Sequence, residues 1–101
     1  MPRVIAELTV VPLGTSSPSM STYVAEVSKV LNGRPGVGVM LTPMGTILEG
    51  EWEEVLAAVR AAHEVPFKMG ALRVATRLSI DERRDREMTM AGKIEAVLRK
   101  I

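Results

Sequence analysis

The hydrophobic residues of this chain change period along its length, from two to about 3.6 and back, and they do so twice. Val4, Ala6, Leu8 and Val10 fall on one side of an extended segment, and Ile5, Glu7, Thr9 and Val11 on the other. That alternation predicts a strand over Val4 to Val11. Pro12-Leu13-Gly14-Thr15-Ser16-Ser17-Pro18 is turn chemistry and ends it. Met20, Tyr23, Val24, Val27, Val30 and Leu31 then recur at three-and-four spacing. A helix from Ser19 to Leu31 is expected, with Ser17 or Ser19 as N-cap and Asn32-Gly33 at its end. Val37 to Thr42 and Thr46 to Gly50 read as two strands of a hairpin turning at Pro43-Met44-Gly45. A second helix begins near Glu51. Trp52, Val55, Leu56, Val59 and Ala62 form its apolar stripe, and Glu51, Glu53 and Glu54 sit where the helix dipole favours them. Pro66 lacks an N–H and should end or kink it. Leu72 to Asp81 alternates again, and Met90 to Ile101 places Ile94, Val97, Leu98 and Ile101 on one side of a final helix.

Strand, helix, strand, strand, helix, strand is the split βαβ order. The expected fold is α+β, a ferredoxin-like βαββαβ sandwich plus a C-terminal helix, as a single domain over 1–101. Its four-stranded antiparallel sheet should run in the order four, one, three, two, with both main helices on one face. The opposite face, with Ile5, Thr9, Val11 and Ala75 beside Glu7, Arg73 and Arg77, would be left bare. A half-apolar bare face predicts sheet-to-sheet self-association, with Glu7 paired to Arg73 or Arg77.

Composition removes several function classes. The 101 residues include no cysteine and one histidine, which excludes disulfides, thiolate metal sites, cysteine nucleophiles and a His-rich metal centre. A formal net charge of +1 and three aromatic residues speak against nucleic-acid binding. No apolar run approaches the roughly 18 residues of a membrane span. Met1-Pro2-Arg3 leads directly into the first strand without a secretory leader, so a cytoplasmic location is expected. Seven methionines beside so few aromatics predict a core filled by flexible side chains.

In the expected topology, Pro12 to Thr15, Thr42 to Thr46 and Lys68 to Gly70 meet at one sheet edge with the start of the first helix. Each loop carries a glycine, which lets backbone approach a ligand. The candidate binding residues are Thr15, Ser17, Thr42, Met44 and Thr46, with Glu49 at the strand-to-helix junction. Plain turn chemistry explains the same loops equally well. His63 is a candidate acid or base, but no nucleophile stands near it in the sequence. No phosphate-binding glycine fingerprint exists: Gly36-Val37-Gly38 precedes a strand and lacks a third glycine. The run Asp81-Glu82-Arg83-Arg84-Asp85-Arg86-Glu87 reads as a solvated, self-paired segment or as an ion-pair network between subunits.

Val10-Val11-Pro12-Leu13-Gly14-Thr15, Thr42-Pro43-Met44-Gly45-Thr46 with Glu49-Gly50, Gly70 with Arg73-Val74, and Asp81-Glu82-Arg83-Arg84-Asp85 occur in this order and spacing. Together they resemble the small single-domain members of the YkoF-like thiamine-binding family. The resemblance implies a ferredoxin-like fold, a homotetramer built as a dimer of dimers, and non-catalytic binding of thiamine or its hydroxymethylpyrimidine moiety. No tightly held cofactor is expected, and composition already speaks against nucleic acid and membrane as partners. With such a ligand, Glu49 could balance the thiazolium charge, the threonine hydroxyls could meet the pyrimidine edge, and Trp52 or Phe67 could supply an aromatic wall. Val65-Pro66-Phe67 departs from the family pattern, in which the helix continues without proline. A small dimeric-barrel-type enzyme using His63 and a purely structural oligomeric subunit are the alternatives.

Overall fold

β1 (Arg3–Pro12), α1 (Ser21–Asn32), β2 (Val37–Thr42), β3 (Gly45–Glu51), α2 (Trp52–Lys68), β4 (Val74–Glu82) and α3 (Met90–Leu98) succeed one another in a computed structural model, which describes residues 3–101. Met1 and Pro2, read above as a start without a leader, lie outside the described residues. The sheet order is β2-β3-β1-β4 and every pairing is antiparallel. This is the expected ferredoxin-like α+β arrangement. Alternation along β1 and β3 sends Val4, Ala6, Leu8 and Leu48 toward α1 and α2, where Val27, Leu31, Val55, Ala58 and Ala62 meet them. Burying each larger side chain contributes roughly 1.5–3 kcal/mol. That layer holds the short helices better than their intrinsic propensities would.

No described methionine belongs to this core, which is built of Val, Leu and Ala. The expectation of a methionine-filled interior fails because the described methionines stand at element ends, in the loop before α3, at the hairpin tip or, for Met40, on the outer face of β2. Met40, Met44 and Met69 are exposed. Ala58 and Ala62 are fully buried and let α2 approach the sheet closely, so no flexible filler is needed. Leu56, placed in the α2 stripe by its spacing, is exposed instead. The buried line runs through Val55, Ala58, Ala62 and Val65.

Three element ends depart from expectation. α1 starts at Ser21 with Met20 at the N-cap position and no side-chain cap. The Ser17 hydroxyl is committed to the loop, accepting from the Ser19 N–H at 3.1 Å. α2 runs through Pro66 to Lys68. A proline there costs only the bond that residue 66 would give to the Ala62 carbonyl, and the helix stops two residues later. The ring is itself fully buried, and its carbonyl accepts from Ala71 N–H at 2.9 Å. Leu72 is 95% exposed and precedes β4, because the chain is still turning from Gly70, whose φ is 104°.

The outer sheet face is partly covered. Ile5 stands between Glu49 and Asp81 in register. Glu49 Oε2 accepts from the Met90 N–H at 2.7 Å, and Lys93 pairs with Asp81, so the first turn of α3 crosses this rung. Ile5 is consequently 9% exposed. Beyond that turn α3 buries nothing: Ile94, Val97, Leu98 and Ile101 all face solvent. Glu7 is opposite Ser79, and Arg73 lies before β4, so neither expected ion pair forms a directly opposed rung.

Candidate functional site

β1, the start of α1 and the β2–β3 hairpin enclose a cavity of about 210 Å³. β1 and β3 supply Leu8, Val10 and Thr46 to its wall, α1 supplies Met20, Val24 and Val27, and the hairpin adds Leu41, Thr42 and Met44. These are the ends of the same apolar stripes that build the core. They reach a corner where the helix layer stops short of the sheet. No ionisable side chain lines this cavity.

Thr46 is the buried polar residue of the described chain, 6% exposed. Its neighbours in register are Leu8 and Leu41. Its hydroxyl takes part in none of the hydrogen bonds found among the described residues, so it is a donor and acceptor left over in an apolar wall. The hydroxyl is not among the buried side-chain atoms left without a partner, so it keeps access to the cavity, where a ligand can exchange hydrogen bonds with it. Thr42 differs. Its hydroxyl donates to the Gly45 carbonyl at 2.8 Å and accepts from the Gly45 N–H at 3.1 Å and the Met44 N–H at 3.3 Å. Thr42 therefore shapes the turn and contributes to the cavity mainly by its methyl group and position. Met44 is 83% exposed on the hairpin tip, at the cavity mouth.

The three expected loops do not form one site. Thr15 and Ser17 border a second, more polar cleft of about 380 Å³, between the 13–19 loop and Met69 to Leu72. The Thr15 hydroxyl donates to the Ser17 carbonyl at 2.8 Å, so part of this hydroxyl cluster satisfies itself. α1 separates the two spaces, with Met20 and Val24 on one side and Ser19 and Tyr23 on the other.

Glu49 lines neither cleft. Thr46 and Leu48 point to the helices, so Glu49, one residue on, points to the outer face. There it caps α3 through Met90. Gly38 leaves room for it, since a Cβ at Gly38 would lie 3.0 Å from Glu49 Cγ. Glu49→Ala should free α3, raising amide exchange across Met90–Leu98 by about tenfold while the β1–β4 amides keep their protection. Hydrogen exchange followed by NMR reads this directly.

His63 sits one turn before the end of α2. Its Nδ1 is 2.6 Å from the Thr76 hydroxyl on β4, and its ring meets Phe67 edge-on at 5.5 Å. That contact ties α2 to the edge strand. Trp52 and Phe67, the aromatic-wall candidates, line neither of these two clefts. Sequence reasoning missed the apolar lining from Leu8, Val10, Met20, Val24 and Leu41. The stripes were visible, but only the packed layers show where they stop being covered.

Comparison with known proteins places these features in a family context. The family model for thiamine-binding protein matches residues 6–98. The UPF0045 protein YqgV of Bacillus subtilis is 48% identical over 96 residues, covering 92% of each chain. A UPF0045 protein of Methanothermobacter thermautotrophicus is 46% identical over 99 residues, covering 97% of this chain and 99% of its own. Among solved structures, hypothetical protein MJ1052 of Methanocaldococcus jannaschii superposes with a TM-score of 0.88 at 37% identity, covering 96% and 97% of the two chains. A Thermotoga maritima protein, named provisionally for thiamine biosynthesis or salvage, has a TM-score of 0.76 at 21% identity, covering 95% and 99%. At that identity the likeness carries the fold alone.

Proposed function

The chain belongs to the thiamine-binding protein family, and on that premise we propose that it reversibly binds thiamine or its hydroxymethylpyrimidine moiety in the Thr46 cavity, without catalysis. The observation that carries this reading is the Thr46 hydroxyl, accessible from the cavity and without a hydrogen-bond partner among the described residues, set in a largely apolar wall. An aminopyrimidine has apolar faces for Leu8, Val24 and Val27 and a polar edge for one hydroxyl. A volume of about 210 Å³ suits one substituted ring, below the roughly 300–1,000 Å³ of sites that enclose a drug-sized ligand. The thiazolium would then lie toward the mouth, near Met44, where solvent rather than Glu49 balances its charge.

Thr46→Val keeps the shape of the side chain and removes the hydroxyl. It should weaken binding by on the order of 1 kcal/mol, about fivefold, with little change in stability. Calorimetry with thiamine and with hydroxymethylpyrimidine measures this. Absence of heat and of thermal stabilisation with both compounds at millimolar concentration would end the thiamine reading.

The proposed setting is the cytoplasm, and the proposed assembly is a homotetramer, a dimer of dimers. Two separate apolar surfaces support two kinds of contact. One is the uncovered part of the outer sheet face around Val11 and Met40, and the other is the Ile94, Val97, Leu98 and Ile101 stripe of α3. Val11→Lys should weaken assembly by burying an unpaired charge. Light scattering that shows an 11.0 kDa monomer at micromolar concentration refutes the tetramer.

A further inference from the structure

We propose that the cleft between the 83–89 segment and α3 binds an anion, a phosphate or phosphate-ester group, separately from the Thr46 cavity. This cleft measures about 410 Å³ and is lined by Arg83, Arg86, Lys93 and Arg99 against a single carboxylate, Glu87. Four of the 13 Lys and Arg side chains of the chain line this one cleft. Asp85 and Asp81 pair with Arg83 and Lys93 but do not themselves line the cleft. Arg83 Nη2 donates to Asp85 Oδ2 at 2.8 Å, which holds the guanidinium in place and the Asp85 carboxyl below the usual carboxylate range.

Arg86 and Arg99 form no ion pair among the described residues, and both line the cleft, one from the loop and one from the C-cap of α3. Two guanidinium groups facing a common space suit a tetrahedral oxyanion, because each presents a planar fork of N–H donors. Gly92 and Ala96, one helical turn apart, also line the cleft and leave its helical side free of bulk. Three N–H groups of the first turn are already taken: Glu49 accepts from Met90, the Thr89 side chain from Gly92 and the Thr89 carbonyl from Lys93. The side-chain cations, not the helix dipole, therefore carry the binding.

The test is calorimetric titration of the full chain at low ionic strength with inorganic phosphate and, separately, with phenyl phosphate, using chloride as the control for screening. Saturable binding is expected, weakening as salt rises, and R86A/R99A should lose about tenfold or more in affinity. In the unaltered protein, the Arg86 and Arg99 side-chain N–H resonances should shift during the same titration, which reads the site without any variant. Tighter binding of the ester identifies an organic phosphate as the physiological source; equal binding identifies free phosphate. Thr46→Val should leave phosphate affinity unchanged whatever it does to thiamine, which separates this site from the proposed function. No saturable heat with either probe, no shift of the two arginines, or equal affinity in R86A/R99A overturns the proposal. So does loss of phosphate binding in Thr46→Val.

Discussion

Leu8→Ala should lower the free energy of unfolding by about 2–5 kcal/mol. Leu8 is 2% exposed at the centre of β1, between Thr46 on one side and Leu78 on the other. It belongs to the core and to the cavity wall at once. Truncation removes the transfer free energy of the lost carbons and leaves space that the strands cannot close, since both neighbours are held by ladder hydrogen bonds. The loss would be a large share of the 5–15 kcal/mol that separates folded from unfolded forms in most domains. Urea denaturation followed by circular dichroism measures it. The site also gives this variant a second readout. The new space joins the Thr46 cavity, so an aromatic ligand should restore part of the lost stability, and the variant should gain more from hydroxymethylpyrimidine than the unaltered protein does. A loss below about 1 kcal/mol would mean that the corner collapses, contrary to the packing described here.

Gly50→Ala should be the second severe change, at about 2–3 kcal/mol. Gly50 is in the rung that joins Val4, Gly50 and Val37, and it points to the helix side. A Cβ there would sit 2.6 Å from the Gly36 carbonyl oxygen and 3.5 Å from Val55 Cγ2. The obstructing atom is backbone, and Gly36 is itself held at a φ of 76° where β2 begins. The entry to β2 cannot withdraw without losing its pairing. Gly14→Ala provides the contrast. No atom lies within 4 Å of the added carbon there, so only the strain of a positive φ at 77° remains, on the order of 1 kcal/mol. Equal losses in the two variants, measured by denaturant titration, would refute the steric account.

Much of the architecture was legible from period alone. The alternation of Val4, Ala6, Leu8 and Val10, and the three-and-four spacing of Val24, Val27, Val30 and Leu31, each admit one kind of element. Their order admits few topologies. Element ends were read less well. Caps and turns are local contests between side chain and backbone: Ser17 served its own loop instead of α1, and Pro66 stayed inside α2 because burial offset one missing bond. The methionines misled because polarisability describes what a side chain can do in a core, not where the chain puts it.

The site divides along the same line. Thr42, Met44 and Thr46 could be grouped from the sequence because a hairpin turn is written in three or four adjacent residues, and they line one cavity. Glu49 was placed with them as a carboxylate at the strand-to-helix junction, available to a cationic ligand, and it stands three residues after Thr46. In a strand an odd separation means opposite faces, and the carboxylate caps α3 across the sheet from the cavity. Nothing in the sequence states that the Thr46 hydroxyl is left without a partner while Thr42's is used three times over. Nor does it state that the loop glycines divide between two clefts. Periodicity reports which way each residue faces within its own element, and that much this sequence determined by itself. Which facing groups meet, and which are left uncovered, depends on how far each layer extends over the next, and only the tertiary structure decides that.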